Sequence, residues 1–274
     1  MTLQPVWKIL KPYPEVAQGE VSEDSFVVSI GAIWENLEHG LNNQVDPRYL
    51  DPEGFYQRTH FTQAMRELLT TLIDRVDGKP VQSVHHLQVG MGGGKSHTLL
   101  LLYYLSKAPD KALPVIKREN IASHIPDFRV VVLDGMRLNA DYSTRYPDGS
   151  HILTFWGHLF KQLGVYDKYK DVDDRTKCPS TPMLKEIFAE KPTLILFDEI
   201  LNYVPNILNS PRQLDRMQAF LQNLTTAVKE TPGCALVITT PVGVYEEAQK
   251  FVTAILNRYC SPTPVSGDIE YKDI

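Results

Sequence analysis

The part of this sequence best equipped for chemistry is a glycine cluster ending in a lysine and a serine: Gly90-Met91-Gly92-Gly93-Gly94-Lys95-Ser96. A polyanion such as a triphosphate must be met by many backbone N–H donors with no side chains in the way, and glycines supply that surface. At the end of such a loop a lysine can pair with the outer phosphates, and a serine hydroxyl can hold Mg²⁺. The helix that follows turns its positive end toward the same charge. Gly90, Met91, Gly92, Gly93, Gly94, Lys95, Ser96 and His97 are therefore the candidate nucleotide-binding stretch, with ATP and Mg²⁺ as expected cofactors. His97, in the first turn of the helix, is given no separate role. The strict spacing G-x-x-x-x-G-K-[ST] puts its first glycine at position 89, where this chain has Val89. Either Val89 replaces that glycine or the turn is one residue tighter. The plainer alternative is a glycine-rich turn with an incidental Lys-Ser.

A second cluster stands far downstream, where the apolar run Thr193-Leu194-Ile195-Leu196-Phe197 stops at Asp198-Glu199. Asp198 has the right chemistry to bind Mg²⁺, and Glu199 to polarise a water for in-line attack on a γ-phosphate. Glu199 and Lys95 are the candidate catalytic residues; Ser96 and Asp198 are the candidate metal ligands. The bland alternative is an acidic pair facing solvent. Three further residues are sensor candidates. Thr239 and Thr240 end a third apolar run and otherwise cap a turn. Asp134 ends a fourth, at a position where it could hold Glu199 in or out of attack geometry. It otherwise forms a turn with Gly135. Phe55, Tyr56 and Phe61 are candidates for an adenine pocket or for the core. His85 and His86 read as packing residues on opposite faces of a strand.

These residues need elements to hold them. Met65, Leu68, Leu69, Leu72, Ile73 and Val76 recur at three and four, which predicts an amphipathic helix over 62–76. Strands are expected at 83–89, 128–134, 193–199 and 234–240, and a short one at 25–30. Helices are expected at 95–106, 110–117, 152–163, 183–189, 211–229 and 244–259. Residues 41–54, 139–150 and 166–182 read as loops, the last of them mobile. Continuous β-branched runs alternating with helices indicate a parallel sheet covered on both faces. Ligands of such sheets sit at the carboxyl ends of the strands, where Lys95, Asp134, Asp198 and Thr240 all fall.

Composition narrows the class. Hydrophobic residues make up 43% and charged residues 22% of the 274, which is ordinary for a globular chain. No run approaches the roughly 18 apolar residues of a membrane span, and the first residues lack a signal peptide's pattern. A cytoplasmic protein without a membrane partner is expected. Cys178, Cys234 and Cys260 are too scattered for a zinc site or disulfide framework. A net charge of −5 argues against a strong grip on nucleic acid by this segment alone.

With Gly92-Gly93-Gly94-Lys95-Ser96 and Ile195-Leu196-Phe197-Asp198-Glu199 in this order, the sequence resembles the P-loop ATPases with an additional strand and a catalytic glutamate, the AAA-type division. More narrowly it looks like the N-terminal ATPase part of a family of large proteins long labelled as a domain of unknown function. Asp51-Pro52-Glu53-Gly54-Phe55, Arg58-Thr59-His60-Phe61-Thr62, the stretch from Val89 to His97, and Trp156-Gly157 carry that likeness. The resemblance implies a three-layer α/β fold, RecA/AAA-like, with a mostly parallel sheet and an N-terminal extension. It implies an ATP hydrolase that remodels a partner in a prokaryotic anti-phage or DNA-modification system. Homo-oligomers or protein partners are expected, with DNA reached through partners or further domains. The alternatives are a nucleotide-binding switch or assembly module with little turnover, then a DNA translocase or small-molecule kinase. Expected boundaries are 1–61 for an arm and linker, 62–260 for the ATPase core with an insertion near 139–182, and 261–274 for a tail. Too few residues follow Thr240 for the helical lid of AAA-type machines, and Arg258 is the one arginine among them, so the chain reads as a fragment.

Overall fold

In a computed structural model of the chain, the residues described are 29–41, 45–89, 94–138, 142–241, 246–260 and 262–263. The chain enters through α1 (Ile30–His39), capped by the Ser29 hydroxyl, which accepts from the Ala32 N–H at 3.2 Å. Helices α2 (Pro52–Arg58) and α3 (Gln63–Val76) follow, then strand β1 (Val84–Val89). Next come α4 (Lys95–Lys107), α5 (Pro109–Arg118) and β2 (Arg129–Asp134). A small hairpin, β3 (Thr144–Arg145) with β4 (His151–Ile152), precedes α6 (Phe155–Gln162), the single turn α7 (Tyr166–Tyr169) and α8 (Thr181–Ala189). The remainder is β5 (Thr193–Asp198), α9 (Ile200–Ile207), α10 (Pro211–Glu230), β6 (Cys234–Pro241), α11 (Glu246–Leu256) and β7 (Pro262–Thr263).

The main sheet runs β2-β5-β6-β1-β7, and every pairing in it is parallel. Its apolar runs are continuous because both faces are covered. Ile195 and Phe197 face one core with α6, α8, α9, α10 and α11, whereas Leu194 and Leu196 face the other with α1 to α5. At the outer edge, the Gln162 side chain acts on β2 as a neighbouring strand would. The Val132 N–H donates to its Oε1 at 2.8 Å, and its Nε2 donates to the Val132 carbonyl at 2.7 Å. Across the molecule, the buried guanidinium of Arg75 on α3 donates to the carbonyls of Val228, Lys229, Thr231 and Cys234. It thereby satisfies the last turn of α10, whose carbonyls have no partner within the helix.

Several expectations are corrected. Ile30, expected to end a short strand, begins α1; residues 25–28 lie outside the described part. Residues 47–49 and 52–54, expected in a loop, are helical. Ile30, Ile33, Phe55, Tyr56 and Phe61, assigned to an arm and linker, are buried in the second core. Ile152, expected in a helix, belongs to β4. The segment 166–182 is not a bare loop. Its buried Asp173 accepts from the Leu153 N–H, the Thr154 hydroxyl at 2.7 Å and the Tyr166 hydroxyl at 3.0 Å. Helix α9 was not expected at all. No helix among the described residues is long and apolar enough to cross a membrane, and the three cysteines are free.

Candidate functional site

Gly90, Met91, Gly92 and Gly93 lie outside the described residues, so the site is built from Gly94 onward. Gly94 sits at φ +79 with open space around the position of a side chain. That backbone region suits glycine and few others. Its carbonyl accepts from the N–H and hydroxyl of Thr98, both at 2.9 Å, which starts α4. No side chain caps that helix, and its first turn holds no acid. A helix start of this kind directs its positive end toward an anion. Lys95 is buried at 8% exposure, and Ser96 is half-buried. His97 turns toward α2: its Nε2 is 3.0 Å from the Thr59 hydroxyl and its ring centroid 4.4 Å from that of Phe55. Burial lowers the His97 pKa to about 4.

The strand ends bring the remaining candidates together. Asp134 and Asp198 are register partners on β2 and β5. Asp198 is fully buried. Its Oδ1 accepts from the Glu199 N–H at 3.0 Å and from the Thr239 hydroxyl. Burial pushes its carboxyl up to about 7, the Thr239 hydrogen bond opposes the rise, and the charges of Asp134 and Glu199 add to it. Glu199 stands at φ +51, a strained backbone for a residue with a side chain. Burial raises its carboxyl, the Lys95 charge draws it back, Asp134 raises it further, and Asn202 lowers it. Lys95, the first residue of α4, is thus an electrostatic neighbour of Glu199, the residue after β5, although β6 separates β1 from β5.

Two residues not singled out in sequence hold this geometry. Asn202 donates to Glu199 Oε2 at 2.7 Å from the first turn of α9. It sits three residues on, a spacing that could have flagged it. Gly135 donates its N–H to the Asp198 carbonyl at 2.9 Å, and a Cβ there would meet the Glu199 carbonyl at 2.2 Å. Only a glycine lets the two strand ends approach so closely.

The sensor candidates separate. Thr239 reaches Asp198. Thr240 lies instead 2.7 Å from His86 Nε2, so alternation along the strand removes it from the carboxylates. His85 and His86 are packing residues, as expected, and burial lowers both to about 4. Asp134 is tied to the start of α1: it accepts from the Ser29 hydroxyl at 3.1 Å and the Met136 N–H at 2.8 Å. Burial raises its carboxyl against those bonds and the charge of Arg137. Phe55, Tyr56 and Phe61 are core residues, and Tyr56 donates to the Leu101 carbonyl at 2.7 Å.

The family model for the DUF499 N-terminal domain matches residues 16–259. The chain belongs to this family. No curated protein matches it. The DUF499 match takes in the glycine segment, both acidic strand ends and all of α1 to α11, so all the candidate residues lie within one family domain.

Proposed function

We propose that this DUF499 domain binds ATP with Mg²⁺ and hydrolyses it, and that hydrolysis drives a change in a bound partner. The observation that carries this is the placing of Lys95, at the uncapped start of a helix after a parallel strand, where its charge acts on the Glu199 carboxyl just past the end of β5. The donor set suits a magnesium ion. Asp198 is a buried carboxylate with two hydrogen-bond donors on one oxygen and two like charges nearby. No three His, Cys, Asp or Glu side chains converge among the described residues. A site of one carboxylate, the Ser96 hydroxyl, phosphate and water is the ordinary habit of Mg²⁺. When bound, the ion would neutralise charge developing on the phosphates. Lys95 and the leading N–H groups of α4 bind and orient the phosphate chain. Thr239 holds the Asp198 carboxylate in position. Glu199, with its carboxyl raised by burial, accepts a proton from the attacking water at Oε1 or Oε2.

The order of strands supports the same reading, because β6 is inserted between β1, which precedes the glycine segment and Lys95, and β5, which ends at Asp198. A second reading, a nucleotide switch with little turnover, is favoured by one contact. Asn202 donates to Glu199 Oε2 and so takes up one of the two oxygens at which Glu199 could accept a proton. ATP titration and phosphate release separate the outcomes. Lys95→Ala is expected to abolish ATP binding, and unchanged affinity refutes the site. Hydrolysis that survives Glu199→Gln intact refutes the catalytic role.

A further inference from the structure

We propose that the cavity between α1, the carboxyl end of β2 and the β3–β4 hairpin binds a neutral single-ring nitrogen heterocycle of the pyrimidine kind, at a site separate from Lys95 and Glu199. The cavity encloses about 60 Å³ and is open on one side. One water needs about 10–15 Å³ of such space. There is room for several waters, or for one small ring that enters edge-first and leaves its substituents outside. Val132 and Leu133 of β2 line it from the sheet. Helix α1 comes close because residue 31 is glycine: a Cβ there would collide with Asp134 Oδ2 and lie 2.9 Å from Arg137 Cδ. That approach brings Trp34 and His39, on the following turns of α1, to the cavity wall. Tyr146, just past β3, supplies a third ring, and its hydroxyl is held 2.8 Å from Nδ1 of His158 on α6.

The three rings stand nearly at right angles to one another. Trp34 and His39 have centroids 4.7 Å apart at 86°, His39 and Tyr146 5.4 Å apart at 80°, and Trp34 and Tyr146 6.4 Å apart at 70°. A flat aromatic guest can stack on one such ring while meeting the others edge-on, and both arrangements are favourable. The wall also sets the guest's charge. Glu35 is paired with Arg137, Asp134 accepts from the Ser29 hydroxyl and the Met136 N–H, and burial lowers His158 to about 3, which keeps it neutral. The wall's inner charges are thus matched already, and a charged guest would be desolvated without a counter-ion. One polar atom is not matched. His39 Nε2 is closed off from solvent and has no hydrogen-bond partner among the described residues. A buried imidazole nitrogen left unpaired carries the cost of its lost hydration. A ring nitrogen, or the N–H and carbonyl of a pyrimidine edge, supplies the missing partner in either tautomer of the histidine. A plain hydrocarbon ring does not.

Uracil titrated into the full chain tests the site, followed by ligand-observed NMR and by tryptophan fluorescence. Wild type is expected to bind it with a Kd on the order of 1 mM, ordinary for so small a ligand, and with a saturable change in fluorescence. His39→Phe keeps the ring and removes the nitrogen. It is expected to weaken binding about three- to tenfold at an unchanged or raised melting temperature, because an unmatched buried atom is gone. Trp34→Leu removes one wall from a half-buried position, is expected to weaken binding in the same direction, and serves if His39→Phe fails to fold. Lys95→Ala is expected to leave uracil binding unchanged. Binding that is absent in wild type, or that ignores both cavity variants, overturns the proposal. Tetramethylammonium that displaces uracil overturns the neutral guest, and phenol that binds more tightly than uracil overturns the heterocycle in favour of a tyrosine side chain. Binding lost in Lys95→Ala, or displaced by ATP, overturns the separate site and assigns the cavity to the nucleotide's own base.

Discussion

Asp134 and Asp198 end neighbouring parallel strands, in register, each after an uninterrupted apolar run. By local sequence they are near twins. Asp134 is absorbed by the start of α1, through the Ser29 hydroxyl and nearby N–H groups, and its carboxylate organises backbone. Asp198 is met by Thr239 and one N–H, with carboxylates on either side, and its charge is left without a matching cation among the described residues. The strand delivers a carboxylate to the same level of the sheet in both cases. What arrives from elsewhere in the chain decides whether it staples structure or stands ready for chemistry.

The largest effect expected at the β5 end is on rate. Glu199→Gln is expected to cut phosphate release by about 10²–10⁴-fold with ATP still bound, whereas Asp134→Asn leaves turnover of the folded fraction intact. If the two variants lose turnover equally, the contrast between the strand ends is broken. Next comes pH. The Asp198 carboxyl titrates at about 7 in the folded chain, well above its ordinary value near 3.8. The folded state therefore holds a proton that the unfolded chain releases. Its contribution to stability is present at low pH and is lost as pH rises through about 7. Melting temperature without divalent cations should fall over that range, and Asp198→Asn should flatten the fall. A smaller effect belongs to Asp134→Asn, with a loss of about 1–3 kcal/mol seen as a lower melting temperature at neutral pH. The smallest is Asn202→Ala. Freeing Glu199 Oε2 removes one hydrogen bond, and turnover is expected to rise roughly two- to tenfold at unchanged ATP affinity. A fall instead assigns Asn202 to holding Glu199 ready for attack.

Much of this was legible in sequence. The apolar runs located β1, β2, β5 and β6, and the three-and-four spacing of Met65 to Val76 located the buried face of α3, because both signals are local. α9 escaped because Pro205 lies inside it and its first turn follows a strained Glu199. The segment after α6 looked like a loop because Asp173 organises it through side chains outside any periodic pattern. Thr239 and Thr240 were equal candidates by residue type, and only the facing of β6 parts them. Asp134 read equally as turn or sensor, since the Ser29 hydroxyl that claims it lies on the far side of the chain's order.

The side chain of Gln162 has a consequence for assembly. By filling both hydrogen-bonding positions of Val132, it impersonates a sixth strand at an edge that would otherwise invite one. A copy of this chain, or an extended peptide, meets a terminus there rather than a template. Edge-to-edge pairing at β2 is thereby disfavoured.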